Sequence, residues 1–297
     1  MATVATVEAA QAIAPRKPRR SDKAPLPWGN PVVYFVALLF VALMISPVAY
    51  IVIGGFRTNN QIAQSPAGFP NPWELTSYRA VLQTPEFWVA FKNSIIAGVV
   101  TTAGVVALGL MVSFVLARYK FRGSGAMYGL FAAGLMFPIT VAITPLYLMI
   151  RTLHLMDSLV GVILPQIAFG LPTTVIILVP FLRAIPNEIQ EAAEVDGVGR
   201  MGFFFRMVLP LSMPGVITVG ILAFIGSWNS YILPLFVLNN PASSTLPLAV
   251  QTLARGQYSA DTAKILAGTS LAMLPALVFF SLFERRIVGG LTGAVKG

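Results

Sequence analysis

The sequence predicts an all-α, polytopic membrane protein, a bundle of six transmembrane helices. Three observations carry this. Of 297 residues, 56% are hydrophobic and only 10% charged, whereas soluble domains carry about 25% charged residues. The apolar residues fall in long charge-free runs, each near the ~20 residues that cross ~30 Å of hydrocarbon. Runs of that length satisfy their backbone in lipid as helices.

Residues 1–30 are rich in Ala, Pro and Lys/Arg, including Arg16-Lys17-Pro18-Arg19-Arg20, which reads as a disordered basic tail. The next run is too long for a signal-peptide core and has no small-residue cleavage site, so it is expected to be an uncleaved first span, at about 32–54. Further spans are expected at about 94–117, 126–150, 159–182, 216–238 and 265–283. They make a six-span membrane domain over 31–286, followed by a short tail, 287–297. Between the first two spans lie Pro66, Pro70, Pro72 and Trp73, then Tyr78, Phe87 and Trp88. They suggest a loop followed by a short interfacial helix with Trp88 at headgroup level. Asn239-Asn240-Pro241-Ala242-Ser243-Ser244 is turn material.

The loops set the orientation. Lys and Arg crowd the N-terminal tail, the second-to-third loop (Arg118, Lys120, Arg122), the fourth-to-fifth loop (Arg183, Arg200, Arg206) and the C-terminal tail (Arg285, Arg286, Lys296). Only Arg57, Arg79, Lys92, Arg151, Arg255 and Lys264 fall on the other side. The positive-inside bias places both termini in the cytoplasm, with the N-terminal tail at an anionic leaflet. It also explains the net charge of +9 without a nucleic-acid partner.

Several chemistries are excluded. There are no cysteines and one histidine, which removes thiol catalysis, disulfides and a histidine metal cluster. His154, beside Asp157 in a short outer loop, reads as a solvated residue. No ionisable residue falls mid-span, which argues against a proton or ion path. No Gly-x-x-x-x-Gly-Lys-Ser/Thr phosphate loop occurs, so energy from ATP would need a partner. Pro47, Pro138, Pro145, Pro165, Pro172 and Pro275 fall inside expected spans. They fit either ordinary kinks in a bundle or helices that bend during transport.

The most polar interruption is the loop 184–215. Glu188, Glu191, Glu194 and Asp196 are four of the chain's eleven acids. A short helix is expected here. Asn187 would cap it, Gln190 would stand as a capping-box partner, early acids would suit the helix dipole, and Gly197 would end it in a left-handed turn. Ile189, Ala192, Ala193 and Asp196 share one side at helical spacing, leaving a nearly flat face for another surface. Met201, Phe203, Phe204, Phe205 and Met207 follow as a second piece running to Pro210. Three consecutive phenylalanines cannot all remain in water, so some face the bundle and others suit a partner. The plain alternative is a loop helix packed only on its own bundle.

Glu191-Ala192-Ala193, three residues, Gly197, nine residues, then Met207, one residue and Leu209-Pro210 resembles the cytoplasmic EAA loop of permease subunits of bacterial binding-protein-dependent ABC importers. Met207 stands where that family usually has isoleucine. Trp228-Asn229 with Pro234-Leu235, Ala117-Arg118 through Phe121-Arg122-Gly123, and the C-terminal stretch from Arg285-Arg286-Ile287-Val288 to Gly297 resemble the carbohydrate, maltose-type branch. The resemblance implies a type I importer permease fold in a bacterial inner membrane. It also implies a second homologous permease, two ATPase subunits that bind ATP and Mg, and an extracellular sugar-binding protein. Glu188, Glu191, Ala192, Ala193, Asp196, Gly197, Phe203, Arg206, Leu209 and Pro210 would be the ATPase-coupling residues. The loop 239–264, with Gln251, Arg255, Gln257 and Tyr258, would reach the binding protein. No cofactor is expected in the chain itself.

Candidate residues for a translocation path are the polar and aromatic groups in spans: Gln166, Thr173, Ser227, Trp228, Asn229 and Tyr231, with Thr174 and Ser230 beside them. They suit a sugar, which is bound by hydrogen bonds and aromatic stacking. They also suit helix–helix hydrogen bonding. A non-sugar cargo such as glycerol phosphate is an alternative on the same architecture. A membrane-embedded enzyme is a remote one, because the acidic cluster lacks a histidine or metal-ligand constellation.

Overall fold

The computed structural model describes residues 31–253 and 261–295. The tail 1–30, and Arg255, Gln257 and Tyr258, lie outside them. Every regular element among the described residues is helical. The chain divides into two units after Val48. Most of α1 (Pro31–Gly54), a 24-residue apolar helix with Pro47 inside it, makes up the described part of the first. At 1.5 Å per residue it is about 36 Å long, enough to cross a bilayer.

In the second unit the order is α2 (Asn59–Gln64), α3 (Thr76–Gln83), α4 (Pro85–Arg118), α5 (Ser124–Gly134), α6 (Ile139–Thr152) and α7 (Leu159–Arg183). Then come α8 (Asn187–Val195), α9 (Arg200–Phe203), a π-helical turn (Phe204–Val208), α10 (Leu209–Trp228), α11 (Ile232–Val237), α12 (Leu246–Leu253) and α13 (Thr262–Val295). Among the described residues, five helices are long and apolar enough to cross a membrane, and the α5–α6 pair makes a sixth if it counts as one span.

Four boundaries differ from expectation. α3 supplies the expected short helix, but Phe87 and Trp88 belong to the first turns of α4. Pro85 opens that helix, because its fixed φ and missing N–H suit a first turn. The third span is not continuous: α5 and α6 meet at 98°. Pro138 stands at the break and caps α6 with extended backbone, and as a proline it disfavours helical geometry in Phe137 before it. The fifth span starts at Arg200, well inside the expected loop, and stops at Trp228. The last helix continues to Val295 instead of ending near 283.

The centre of the second unit is the crossing of α4 and α7, where small residues let the backbones approach. A Cβ added to Gly109 would lie 2.3 Å from Thr174 Cγ2, and one added to Gly170 would lie 2.7 Å from Val105 Cγ2. Of the cores among the described residues, two flank the features described below. One gathers Phe114, Leu178, Leu182, Phe203, Phe204 and Val208 beside α8. The other gathers Tyr78, Phe87, Phe224, Trp228 and Leu246. Beside the second core, buried Arg57 donates to the carbonyls of Pro66 (2.9 Å), Gln61 (2.6 Å) and Ser65. This folds the segment after α1 around one guanidinium.

Candidate functional site

Two features bear on function: a cavity in the bundle and the hairpin formed by α8 and the start of α9.

The cavity has a volume of about 640 Å³ and is bounded by α4, α7, α10 and the break between α10 and α11. It exists because α10 stops. Asn229 closes the helix and Tyr231 starts α11 with non-helical backbone, and Asn229, Ser230 and Tyr231 line the opening at this break. Gln166 sits opposite on α7. Its Oε1 accepts from Ser227 Oγ at 2.6 Å and Thr101 Oγ1 at 3.1 Å, which ties α7 to both α10 and α4. Thr173, Thr174 and Phe169 complete the lining, and none of the lining side chains is a carboxylate, lysine or arginine. Phe169 stacks on Phe137 at 6.5 Å between ring centroids, so the α5–α6 break borders the same opening.

Five of the six candidate path residues therefore converge: Gln166, Thr173, Ser227, Asn229 and Tyr231. Trp228 does not line this cavity. It is 2% exposed and packs against Phe91 and Phe224, and its indole N–H donates to the Ala272 carbonyl at 3.2 Å. A helix turns successive residues ~100° apart, so neighbours of a lining residue point elsewhere. Thr101 and Phe169 were missed. The pair Thr101-Thr102 in an otherwise apolar span was the available signal for Thr101.

The Tyr231 hydroxyl donates to Gln251 Oε1 at 2.6 Å. Gln251 is exposed on α12. The chain reaches α12 through a short 3₁₀ turn at Pro241–Ser243, as the turn residues predicted. Asn93 Nδ2 donates to the carbonyls of Ala242 and Ser244, and the Leu246 N–H donates to Ser94 Oγ at 2.7 Å. These bonds hold the turn against α4.

The hairpin lies at the far end of α4 and α7. Its helix ends as expected. Gly197 has φ +73°, the Val198 N–H donates to the Ala193 carbonyl at 2.8 Å and the Gly197 N–H to that of Glu194 at 3.1 Å. That pair of bonds is a Schellman turn. Its start differs: Pro186 occupies the cap position without a side-chain bond, and Asn187 Oδ1 instead accepts from Arg118 Nη1 at 3.1 Å. Gln190 does not close a capping box; its amide donates to Glu194 Oε1 at 3.1 Å.

The expected flat face is divided. Ala193 is buried and Ile189 half-buried against the bundle, whereas Glu188, Glu191, Ala192, Glu194 and Asp196 are exposed. Val195 is 88% exposed. The three phenylalanines divide too. Phe203, 3% exposed, and Phe204 pack on Phe114, while Phe205 remains 57% exposed. Phe203 is thus a core residue rather than a surface one. The π turn allows this: Leu209 N–H bonds back to the Phe204 carbonyl, five residues away, and the wider turn brings two adjacent rings inward. Arg206 and Pro210 are exposed and Leu209 is half-buried. Among the described residues, no group of histidines and acids is placed to hold a metal.

Residues 105–288 match the model of the family of binding-protein-dependent transport system inner membrane components. The chain belongs to this family. The permease is 32% identical over 256 residues to the diacetylchitobiose uptake system permease protein NgcG of Streptomyces coelicolor, covering 86% of this chain and 85% of that one. It is 37% identical over 230 residues to the trehalose transport system permease protein SugB of Mycobacterium tuberculosis, covering 77% and 84%. Among solved structures, a bacterial ABC transporter involved in import of the acidic polysaccharide alginate superposes with a TM-score of 0.74 at 19% identity, over 86% of this permease and 95% of that chain. The likeness establishes the fold.

Proposed function

We propose that this permease is the subunit through which an ATP-driven importer moves a neutral sugar or short oligosaccharide, delivered by an extracellular binding protein. The observation that carries this is the cavity, whose lining combines hydroxyls and amides with Phe169 and Tyr231 and contains no charged side chain. Hydrogen-bonding groups beside aromatic faces suit a polyol with apolar C–H faces. A phosphate would call for lysine or arginine, so glycerol phosphate is the less well supported cargo. The sugars named for two relatives support the same choice.

Membership of the family supports the following reading of the rest of the assembly. A second permease completes the pathway, and two ATPase subunits bind ATP and Mg. The α8 hairpin, facing the cytoplasm with both termini, docks in the ATPase as a helix in a groove. Glu188, Glu191, Ala192 and Asp196 lie on its exposed side, and Arg206, Leu209 and Pro210 lie further along the chain. Gln251 stands at the start of the segment that reaches the binding protein, where Arg255, Gln257 and Tyr258 would meet it.

The test is uptake by the complete complex in proteoliposomes. Labelled trehalose and diacetylchitobiose are offered with the cognate binding protein, against glycerol 3-phosphate. ATP-dependent accumulation of a neutral saccharide is expected, and preferential glycerol 3-phosphate uptake would overturn the cargo. Glu191→Ala is expected to assemble but to hydrolyse ATP without transport. Undiminished uptake by that variant would remove the coupling role.

A further inference from the structure

We propose that Arg118 and Tyr119, at the end of α4, form a bracket that fixes both ends of the α8 hairpin to the second span and makes hairpin and span move as one body. This rests on the reading of the hairpin as the ATPase handle. Arg118 holds the hairpin's start. Its Nη2 donates to the buried Ile185 carbonyl at 2.8 Å and its Nη1 to Asn187 Oδ1 at 3.1 Å. Tyr119 holds its end: the Arg200 guanidinium lies 5.1 Å from the Tyr119 ring centroid. Arg200 is the first residue after the Gly197 turn to be helical again. The Tyr119 ring stands edge-on to Phe114 at 5.6 Å, and Phe114 tilts against Phe204 at 5.1 Å.

Two consecutive residues of one helix end thus reach the two ends of the hairpin. The hairpin already packs on the bundle through Ala193, Phe203 and Phe204, and a single polar attachment would still let it rock on that contact. Two attachments on opposite sides of Ala193 and Gly197 remove that freedom. A push on the exposed Glu191 and Val195 side then passes to α4, and through its tight seam with α7 to the cavity wall. The two contacts are unequal. An exposed cation–π pair is weak, whereas a guanidinium bonded to a buried carbonyl is stronger. Arginine is required, because its planar fork serves two acceptors in different directions and an ammonium on a flexible stem does not.

The experiment uses the chain's lack of cysteine. Spin labels at Lys120→Cys and Val195→Cys, both exposed sites, report the separation of span end and hairpin in the complete complex, with and without ATP and vanadate. The bracket predicts one narrow separation, unchanged by nucleotide. Arg118→Gln is expected to broaden it and to create a nucleotide-dependent shift, which a merely stabilising residue would not do. Arg118→Lys should behave like the glutamine variant. Tyr119→Phe should retain the narrow separation and Tyr119→Leu should broaden it, so a poorly folding arginine variant does not end the test. A nucleotide-dependent shift in the parent, an equally narrow distribution in both the Arg118→Gln and Tyr119→Leu variants, or full rescue by lysine would overturn the bracket. The two readings fail separately. Full transport by Glu191→Ala removes the handle, while the label separations judge the bracket alone.

Discussion

Gln166 is the side chain on which most of the cavity depends, because a single carbonyl oxygen satisfies hydroxyls from two other helices. Gln166→Leu preserves bulk but leaves Thr101 and Ser227 without their acceptor, at about 1–3 kcal/mol. A lower melting temperature of the purified complex, together with reduced uptake, is the expected result. Gly197 makes a contrasting case. A Cβ there would meet nothing within 4 Å, so the cost of Gly197→Ala lies in the left-handed backbone alone, about 1–2 kcal/mol. Gly197→Asn should cost less, because asparagine tolerates that conformation, and comparing the two melts measures the difference. The EAA spacing and the glycine stop were legible in sequence, since both depend on local backbone geometry. The burial of Trp228 was not. Which way an aromatic points depends on which neighbour covers it, and here that neighbour is α13, far along the chain.

The elements show where local rules stop. The run of phenylalanines signalled that some rings must be buried, but not which. The π turn decided it by opening the helix one residue wider, a change set by packing on Phe114. Phe204→Ala is therefore expected to cost about 3–5 kcal/mol as a core truncation. Phe205→Ala should fall within about 0.5 kcal/mol as a surface change, while weakening copurification of the ATPase subunits. Equal destabilisation by the two would refute the assignment. The α4–α7 seam behaves similarly. Gly109→Leu must push α4 away from Thr174, and loss of folded complex on size-exclusion chromatography is the expected readout.

For the molecule as a whole, topology is the open consequence of the charge count. With no native thiol, single cysteines at Val195 and Trp73, both exposed, should react with an impermeant maleimide from opposite sides of the membrane, Val195 from the cytoplasm. Labelling of both from one side would invert or break the proposed orientation. The six apolar runs were readable because crossing a bilayer demands ~20 apolar residues whatever the partners. The 98° break in the third was not, because a proline in a span marks a possible bend without setting its angle.

Local demands were thus visible in the chain itself. Hydrocarbon thickness dictates the spans, backbone conformation dictates Gly197, and the order of residues along the loop carries the family pattern. The tertiary structure decided what depends on distant neighbours. It brings Gln166, Thr101 and Ser227 from three helices onto one oxygen. It turns Trp228 away from the cavity that Asn229 lines, and it joins Arg118 to a hairpin nearly seventy residues later. Those contacts arise only when helices pack, and helical periodicity describes a face without naming what will cover it.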